Sequence, residues 1–432
     1  MTAILARRPV REATELARTT PGVLGGFLLA LVLVGLLAGL FTALSVQRRA
    51  QALDDLATRS GPLTAAAQEI YRSLSDADAT GTGAFLSAGL EPAQARQRYE
   101  ADIAQAANAL AIAVAAREPA DVTAPGSPLA TLSGQLPVYT GLVETARADN
   151  RQGLPLGAAY QREASNLMRT QLLPAAQALY QSEHDQLGTD QDHAGSVPWL
   201  EILLSLVVLA LLLVAQGYLR RRTNRVFNAG LLVATGAAVV SLLWVLIATL
   251  NVMGDVGDSR TEGSAQADTL ARAHIATLNA RADETLTLVA RGAGKAYEDD
   301  YVKVTQSLGT LLDNARAAAT DSAVGERVAA AIADSRAWTR AHADIRAADD
   351  SGDYTTAVRL AVEQIPEGAA PAFDKLDADL RDAIERTRAT FGDKVSDASG
   401  ALAGTVAAVI VLAVVTAAGS AAGIWRRLKD YR

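Results

Sequence analysis

Cysteine is absent from the 432 residues, which excludes disulfides, thiolate metal sites and a cysteine nucleophile. Histidine is scarce, with only His184, His193, His274 and His342 available for imidazole chemistry. Aromatic residues make up 5% and charged residues 20%, yet half of the chain is hydrophobic. That much apolar material argues against disorder. A mean hydropathy of +0.14 points to membrane spans diluted by polar segments. The net charge of −7 gives nucleic acid no attractive surface on average.

What is present begins with four long apolar runs: Val23–Val46, Val197–Leu219, Val226–Val252 and Ala401–Trp425. Each meets the length of about 20 residues needed to cross a bilayer core. Only the second holds an acid, Glu201, near its start. No ionised residue lies mid-span, which argues against a transport pathway. A Gln-Arg-Arg flank replaces a cleavage site after the first run, so it reads as a retained anchor. Arginine and lysine flank the runs unevenly. Arg7, Arg8, Arg11 and Arg18 precede the first, Arg220, Arg221, Arg222 and Arg225 link the second to the third, and Arg426, Arg427, Lys429 and Arg432 follow the fourth. These segments fall on one side of the membrane and are assigned to the cytoplasm, both termini included. Arg48 and Arg49 oppose this assignment and are outvoted. The expected protein is a multi-pass plasma-membrane (inner-membrane) protein. Residues 46–196 carry 11 basic and 17 acidic side chains and residues 251–400 carry 17 and 26, as suits segments facing outward.

The first and third runs start 203 residues apart and the second and fourth 204, a period of about 204. The chain therefore reads as two copies of one unit, a span, about 150 polar residues and a span. Both polar segments show helical periodicity. Tyr99, Ile103, Ala106, Leu110 and Val114 form one stripe, and Leu129, Leu132, Leu136, Tyr139, Val143 and Ala146 another. Breakers near 89–92, 125–128 and 153–155 divide the first segment into helices over roughly 47–88, 92–117, 128–151 and 156–195. In the second, turns are expected at 292–294, 319–325 and 349–353, with an interruption at 365–371. The expected fold is an all-α integral membrane protein with four transmembrane helices and two extracytoplasmic antiparallel four-helix bundles. The expected organisation is a tail (1–22), a span (23–46), bundle one (47–196), a span (197–219), a basic link (220–225), a span (226–252), bundle two (253–400), a span (401–425) and a tail (426–432).

No catalytic or cofactor-binding constellation is present, and the chain reads as a non-enzyme without a cofactor. Arg291–Lys295 is only a faint echo of a phosphate loop, because Val289 and Ala296 stand where Gly and Ser/Thr are required. His184 and His193 are nine apart, which does not put both on one helix face, and His274 and His342 are isolated; all four read as solvated surface. Glu298-Asp299-Asp300 and Asp349-Asp350 read as helix-end acids rather than a metal site. Arg96, Arg98, Arg147, Arg151 and Arg162 cluster near the first bundle's tip. They form either an ion-paired face or a surface recognising a carboxylate-bearing ligand or partner. On the second reading, substituting Arg98 and Arg151 weakens binding without unfolding the bundle. Glycines at four-residue spacing, Gly22/Gly26, Gly35/Gly39 and Gly419/Gly423, allow close helix packing, within the chain or in a homodimer.

The stretch Ser75–Thr80, the run Tyr139–Arg147 and the segment Trp338–His342 followed by Gly352–Tyr354 resemble ectodomains of bacterial chemoreceptors and sensor kinases. The duplicated arrangement is similar to the actinobacterial GlnX-like membrane sensors. That resemblance implies sensing of acidic amino acids and their amides, a solute-binding lipoprotein partner outside and a cytoplasmic protein kinase. Arg220, Arg221, Arg222 and Arg225 then serve for cytoplasmic docking as well as topology. The chain lacks the HAMP-like linker, methylation helices and kinase of chemoreceptor systems. The competing reading is a non-sensing scaffold or an accessory subunit of an envelope or transport complex.

Overall fold

The computed structural model describes residues 20–86, 91–223 and 228–429. It is 91% helical, and no strand occurs among the described residues. In chain order the helices are α1 (Thr20–Asp55), α2 (Gly61–Leu86), α3 (Ala93–Ala115), the short α4 (Pro119–Thr123), α5 (Pro128–Arg151), α6 (Leu156–Leu167), α7 (Leu173–Ala194) and α8 (Trp199–Thr223). They continue with α9 (Ala229–Asp258), α10 (Ala265–Val289), α11 (Lys295–Ala318), α12 (Ser322–Asp350), α13 (Tyr354–Val362), α14 (Ala369–Leu402) and α15 (Thr405–Lys429). Three π-turns, Leu56–Ser60, Met168–Leu172 and Ser259–Ser264, interrupt otherwise continuous helix.

Local chemistry explains the breaks. Pro119 and Pro128 occupy the first position of their helices, where the missing N–H costs nothing. Asp321 and Asp353 cap α12 and α13 by accepting from Ala323 N (2.8 Å) and Thr356 N (3.1 Å). α5 and α12 end in the same turn. Gly153 (φ +70°) and Gly352 (φ +88°) take the left-handed conformation that closes a helix, and the next residues donate back to Asp149 O and Ala348 O, 2.9 Å each.

The chain divides into two compact units. The first comprises residues 1–54, 192–257 and 395–432. It contains the most apolar parts of four helices long and apolar enough to cross a membrane. Leu31, Leu212, Leu231, Ala234 and Ile424 pack inward, while Leu29, Leu37, Leu40, Leu203, Val214, Val233, Ile247 and Val411 are exposed. An apolar exterior of this kind suits lipid rather than water. Small residues set the packing. A Cβ added to Gly39 would lie 2.3 Å from Ala413 Cβ, and one on Gly230 about as close to Gly419 and Gly423 as 2.5–2.6 Å. Gly35/Gly39 and Gly419/Gly423 thus serve contacts within the chain, whereas Gly26 has open space. Glu201, the one acid within the four apolar runs, is buried with Ser45 as its hydrogen-bond donor. Arg49 donates to Thr249 Oγ1 (3.3 Å) and to Ser196 O.

The second unit comprises residues 55–191 and 258–394, the two copies together. Each copy has its own core. Ile70, Leu74, Leu110, Leu132, Tyr139, Val143 and Met168 fill one, and Leu278, Leu308, Val328, Trp338, Ile345, Phe373 and Leu380 fill the other. α2 and α10 pack against one another and are buried on most of their faces.

Candidate functional site

Two polar cores of similar construction lie inside the second unit, one per copy. In the first, buried Asp78 on α2 accepts from Ser165 Oγ (3.0 Å) and Tyr139 Oη (3.3 Å). Burial pushes the Asp78 carboxyl up to about 6, with those two donors pulling the other way. Tyr99 from α3 lies under the Arg147 guanidinium at 4.2 Å, and Arg147 pairs with Glu91 (2.9 Å) and Glu144 (2.5 Å).

In the second, buried Glu284 on α10 accepts from Trp338 Nε1 (3.2 Å), faces His342 Nδ1 (3.0 Å) and pairs with Arg281. Burial disfavours the Glu284 carboxylate, but Arg281 and His342 outweigh it and hold its carboxyl below the usual range. Tyr301 stacks on His342 at 3.6 Å and meets Trp338 edge-on at 5.7 Å. Aligning the two glycine turns brings Tyr139 opposite Trp338 and Arg147 opposite Arg346. Aligning the starts of α3 and α11 brings Tyr99 opposite Tyr301. Both tyrosines bury hydroxyls that find no hydrogen bond among the described residues, although Thr339 comes near the second without meeting hydrogen-bond geometry. The correspondence between the two segments thus extends from helix lengths to the polar interior.

A third cluster joins the copies. Arg98 of α3 contacts Asp76 (3.0 Å) on α2 and Asp374 (3.1 Å) and Asp377 (3.5 Å) on α14. Arg381 bridges Asp76 (3.2 Å) and Asp377 (2.8 Å), and His274 Nε2 sits 2.6 Å from Asp377. Burial opposes ionisation of Asp377, yet His274, Arg381 and Arg98 hold its carboxyl low. Asp102 behaves oppositely. Burial and the neighbouring Asp76 push it up to about 8 against the pull of Arg72, Arg98 and Arg381. Further polar bridges run from Arg169 to Asp283 (2.7 Å), from Tyr180 to Asp268 (2.7 Å) and from Arg388 to Gln68.

The five arginines singled out from sequence separate in this setting. Arg98 and Arg147 are held by internal carboxylates, as above. Arg96 pairs with Glu100 at the surface, and Arg151 and Arg162 are exposed with no ion pair among the described residues. Arg98 is therefore a structural partner, and its removal is no longer expected to leave the packing intact. Arg220 and Arg221 are exposed at the end of α8, whereas Arg225 and the side chain of Arg222 lie outside the described residues. His274 and His342, expected on the surface, are buried. Their only sequence signal is position, since each falls where the helix turns its apolar stripe inward. Arg291–Lys295 forms the turn between α10 and α11.

These features define an all-helical protein with four potential membrane spans and a large polar-cored helical unit. Residues 52–192 match the family described as the actinobacterial sensor domain, which supports a sensing or signalling role. No curated protein and no solved structure matches the chain. The matched stretch contains the whole of the first polar core.

Proposed function

We propose that the chain is a transmembrane signal transducer. It senses extracellular amino acids, directly or through a solute-binding lipoprotein, and passes the signal to a separate cytoplasmic effector such as a protein kinase, in the manner of GlnX-like sensors. In this reading the copies at 55–191 and 258–394 stand outside the cell and both termini lie inside. The observation that carries the reading is the sensor-domain match over residues 52–192. Its first long helix, α2, continues from an apolar segment through the π-turn at Leu56–Ser60. Of the five arginines near this tip, exposed Arg151 and Arg162 offer guanidinium forks to a carboxylate and Arg96 lies beside them at the surface, while Arg98 and Arg147, held by internal acids, support the region from within. Arg220, Arg221, Arg222 and Arg225 are the docking surface for the effector, beside their role in topology.

The test is thermal denaturation of the full chain in lipid nanodiscs with glutamate, glutamine, aspartate or asparagine, and with a solute-loaded binding lipoprotein. A ligand that binds only the folded protein raises Tm in a concentration-dependent way. The sensing reading requires such a rise, reduced in Arg151→Ala/Arg162→Ala while the ligand-free Tm is unchanged. No shift with any ligand or with the lipoprotein leaves the scaffold reading in its place.

A further inference from the structure

The π-turns at Leu56–Ser60 and Ser259–Ser264 end 204 residues apart, the period of the duplication. Each is closed by a bond reaching back five residues, Gly61 N–H to Leu56 O and Ala265 N–H to Arg260 O. Each lies within the first ten residues of its segment of the second unit, which starts at Asp55 and Asp258. A π-turn holds one more residue than the α-helical turn it replaces, at a cost in hydrogen-bond geometry, and persists where surrounding contacts require it. Two of them thus stand at corresponding places in the two segments, each held by the contacts around it.

The same two helices brace both turns. On α7, Asp190 accepts from Ser60 Oγ in the first turn, at 2.5 Å. The next residue, Gln191, donates to Ser259 Oγ (3.1 Å) and accepts from Ser264 Oγ (3.3 Å) in the second. On α14, Phe391 lies against both turns. A Cβ on Gly61 would come within 2.9 Å of the Phe391 ring, and a Cβ on Gly263 within 2.8 Å of Phe391 Cβ. One helical turn further, Lys394 pairs with Asp258 (3.0 Å) and Glu262 (3.8 Å). Neither turn can relax to α-helix without moving groups that also hold the other.

We propose that the two π-turns are one coupled joint, linked through Phe391, in which a change of state at one turn is transmitted to the other. Signals arising in either copy then reach the helices leading to α1 and α9 together. This inference rests on packing alone and stands apart from the identity of any ligand.

Hydrogen exchange on the full chain in nanodiscs tests it, read on peptides covering 52–66 and 255–268. The Gly61→Ala change puts a methyl group against Leu56 O, also 2.9 Å away, and against Phe391. It loosens the first turn, and the joint requires faster exchange at 259–264 as well, some 200 residues away in sequence. Ser60→Ala, a milder perturbation, gives the same pattern should Gly61→Ala fail to fold. In a Phe391→Ala background, or Phe391→Leu if the alanine variant does not fold, the remote effect disappears while the local one stays. Exchange changes confined to the mutated turn overturn the coupling. A remote effect that survives loss of Phe391 overturns the role given to that side chain.

Discussion

His342 has a carboxylate on each ring nitrogen, Glu284 Oε1 3.0 Å from Nδ1 and the Glu298 oxygens 3.2 Å from Nε2. An imidazole donates from both nitrogens only as the cation. Burial works against that cation, but the two carboxylates prevail and raise its pKa above the ordinary value of 6.5. The folded state therefore binds this proton more tightly than the unfolded chain does. The resulting stability is fully present below the unfolded value and is lost as pH rises through the folded one. His342→Ala should cost about 3 kcal/mol in acid, the lower end for breaking a buried charge pair, because Arg281 and Trp338 still hold Glu284. Melting curves from pH 6 to 9 check this. A gap between wild type and variant that narrows as pH rises is expected, and a constant gap rejects it. Arg98→Ala should also destabilise by roughly 3 kcal/mol, because Asp76 and Asp377 stay buried with Arg381 as their shared cation. Arg98→Lys, which keeps the charge but not the fork, should fall between in a denaturant titration. None of this was visible in composition. A buried histidine and a solvated one look alike until their neighbours are known, and the carboxylates come from residues 44–103 positions away.

Helix boundaries were far more legible than side-chain partners. Pro119, Pro128, Gly153 and Gly352 act within a few residues of themselves, so the breaks expected near 125–128, 153–155, 349–353 and 365–371 coincide with helix ends. The π-turns left no such mark, since Asp55, Gly61, Asp258 and Ala265 all keep right-handed helical angles and no breaker is needed. The same logic yields opposite outcomes for different glycines. Gly134 in α5 and Gly309 in α11 are exposed helix-interior positions with nothing within 4 Å of an added Cβ. Gly134→Ala and Gly309→Ala should each stabilise by about 0.5–1 kcal/mol. Gly153→Ala and Gly352→Ala meet equally open space but force a side chain into left-handed backbone, and should destabilise by about 1 kcal/mol. Comparing Tm of the four variants separates propensity from strain. Equal signs for all four would rule out this account.

At the scale of the molecule, the 204-residue period announced a duplication but not the way the copies share surface. The sequence reads most simply as two separate bundles, whereas the copies form one unit joined by Arg98, Arg381, Arg169, Tyr180 and their acids. Polar residues on α2 and α10 read as solvent-facing in any periodicity analysis, because a buried ion pair and an exposed one have the same pattern. Side preference is a different matter, since it is a property of charge outside the packed parts. Twelve basic residues beside the apolar runs, against acidic totals on both long segments, are the grounds on which the proposed function puts residues 55–191 and 258–394 outside and the α8–α9 link in the cytoplasm. The absence of cysteine makes this directly testable, since any introduced thiol is unique. Glu118, Glu326 and Arg221 are all exposed, so accessibility within the fold does not bias the comparison. In intact cells a membrane-impermeant maleimide should label Glu118→Cys and Glu326→Cys, and label Arg221→Cys only after permeabilisation. Labelling of Arg221→Cys in intact cells, with the other two protected, would invert the protein and put its polar-cored unit in the cytoplasm, ending the case for sensing extracellular solutes.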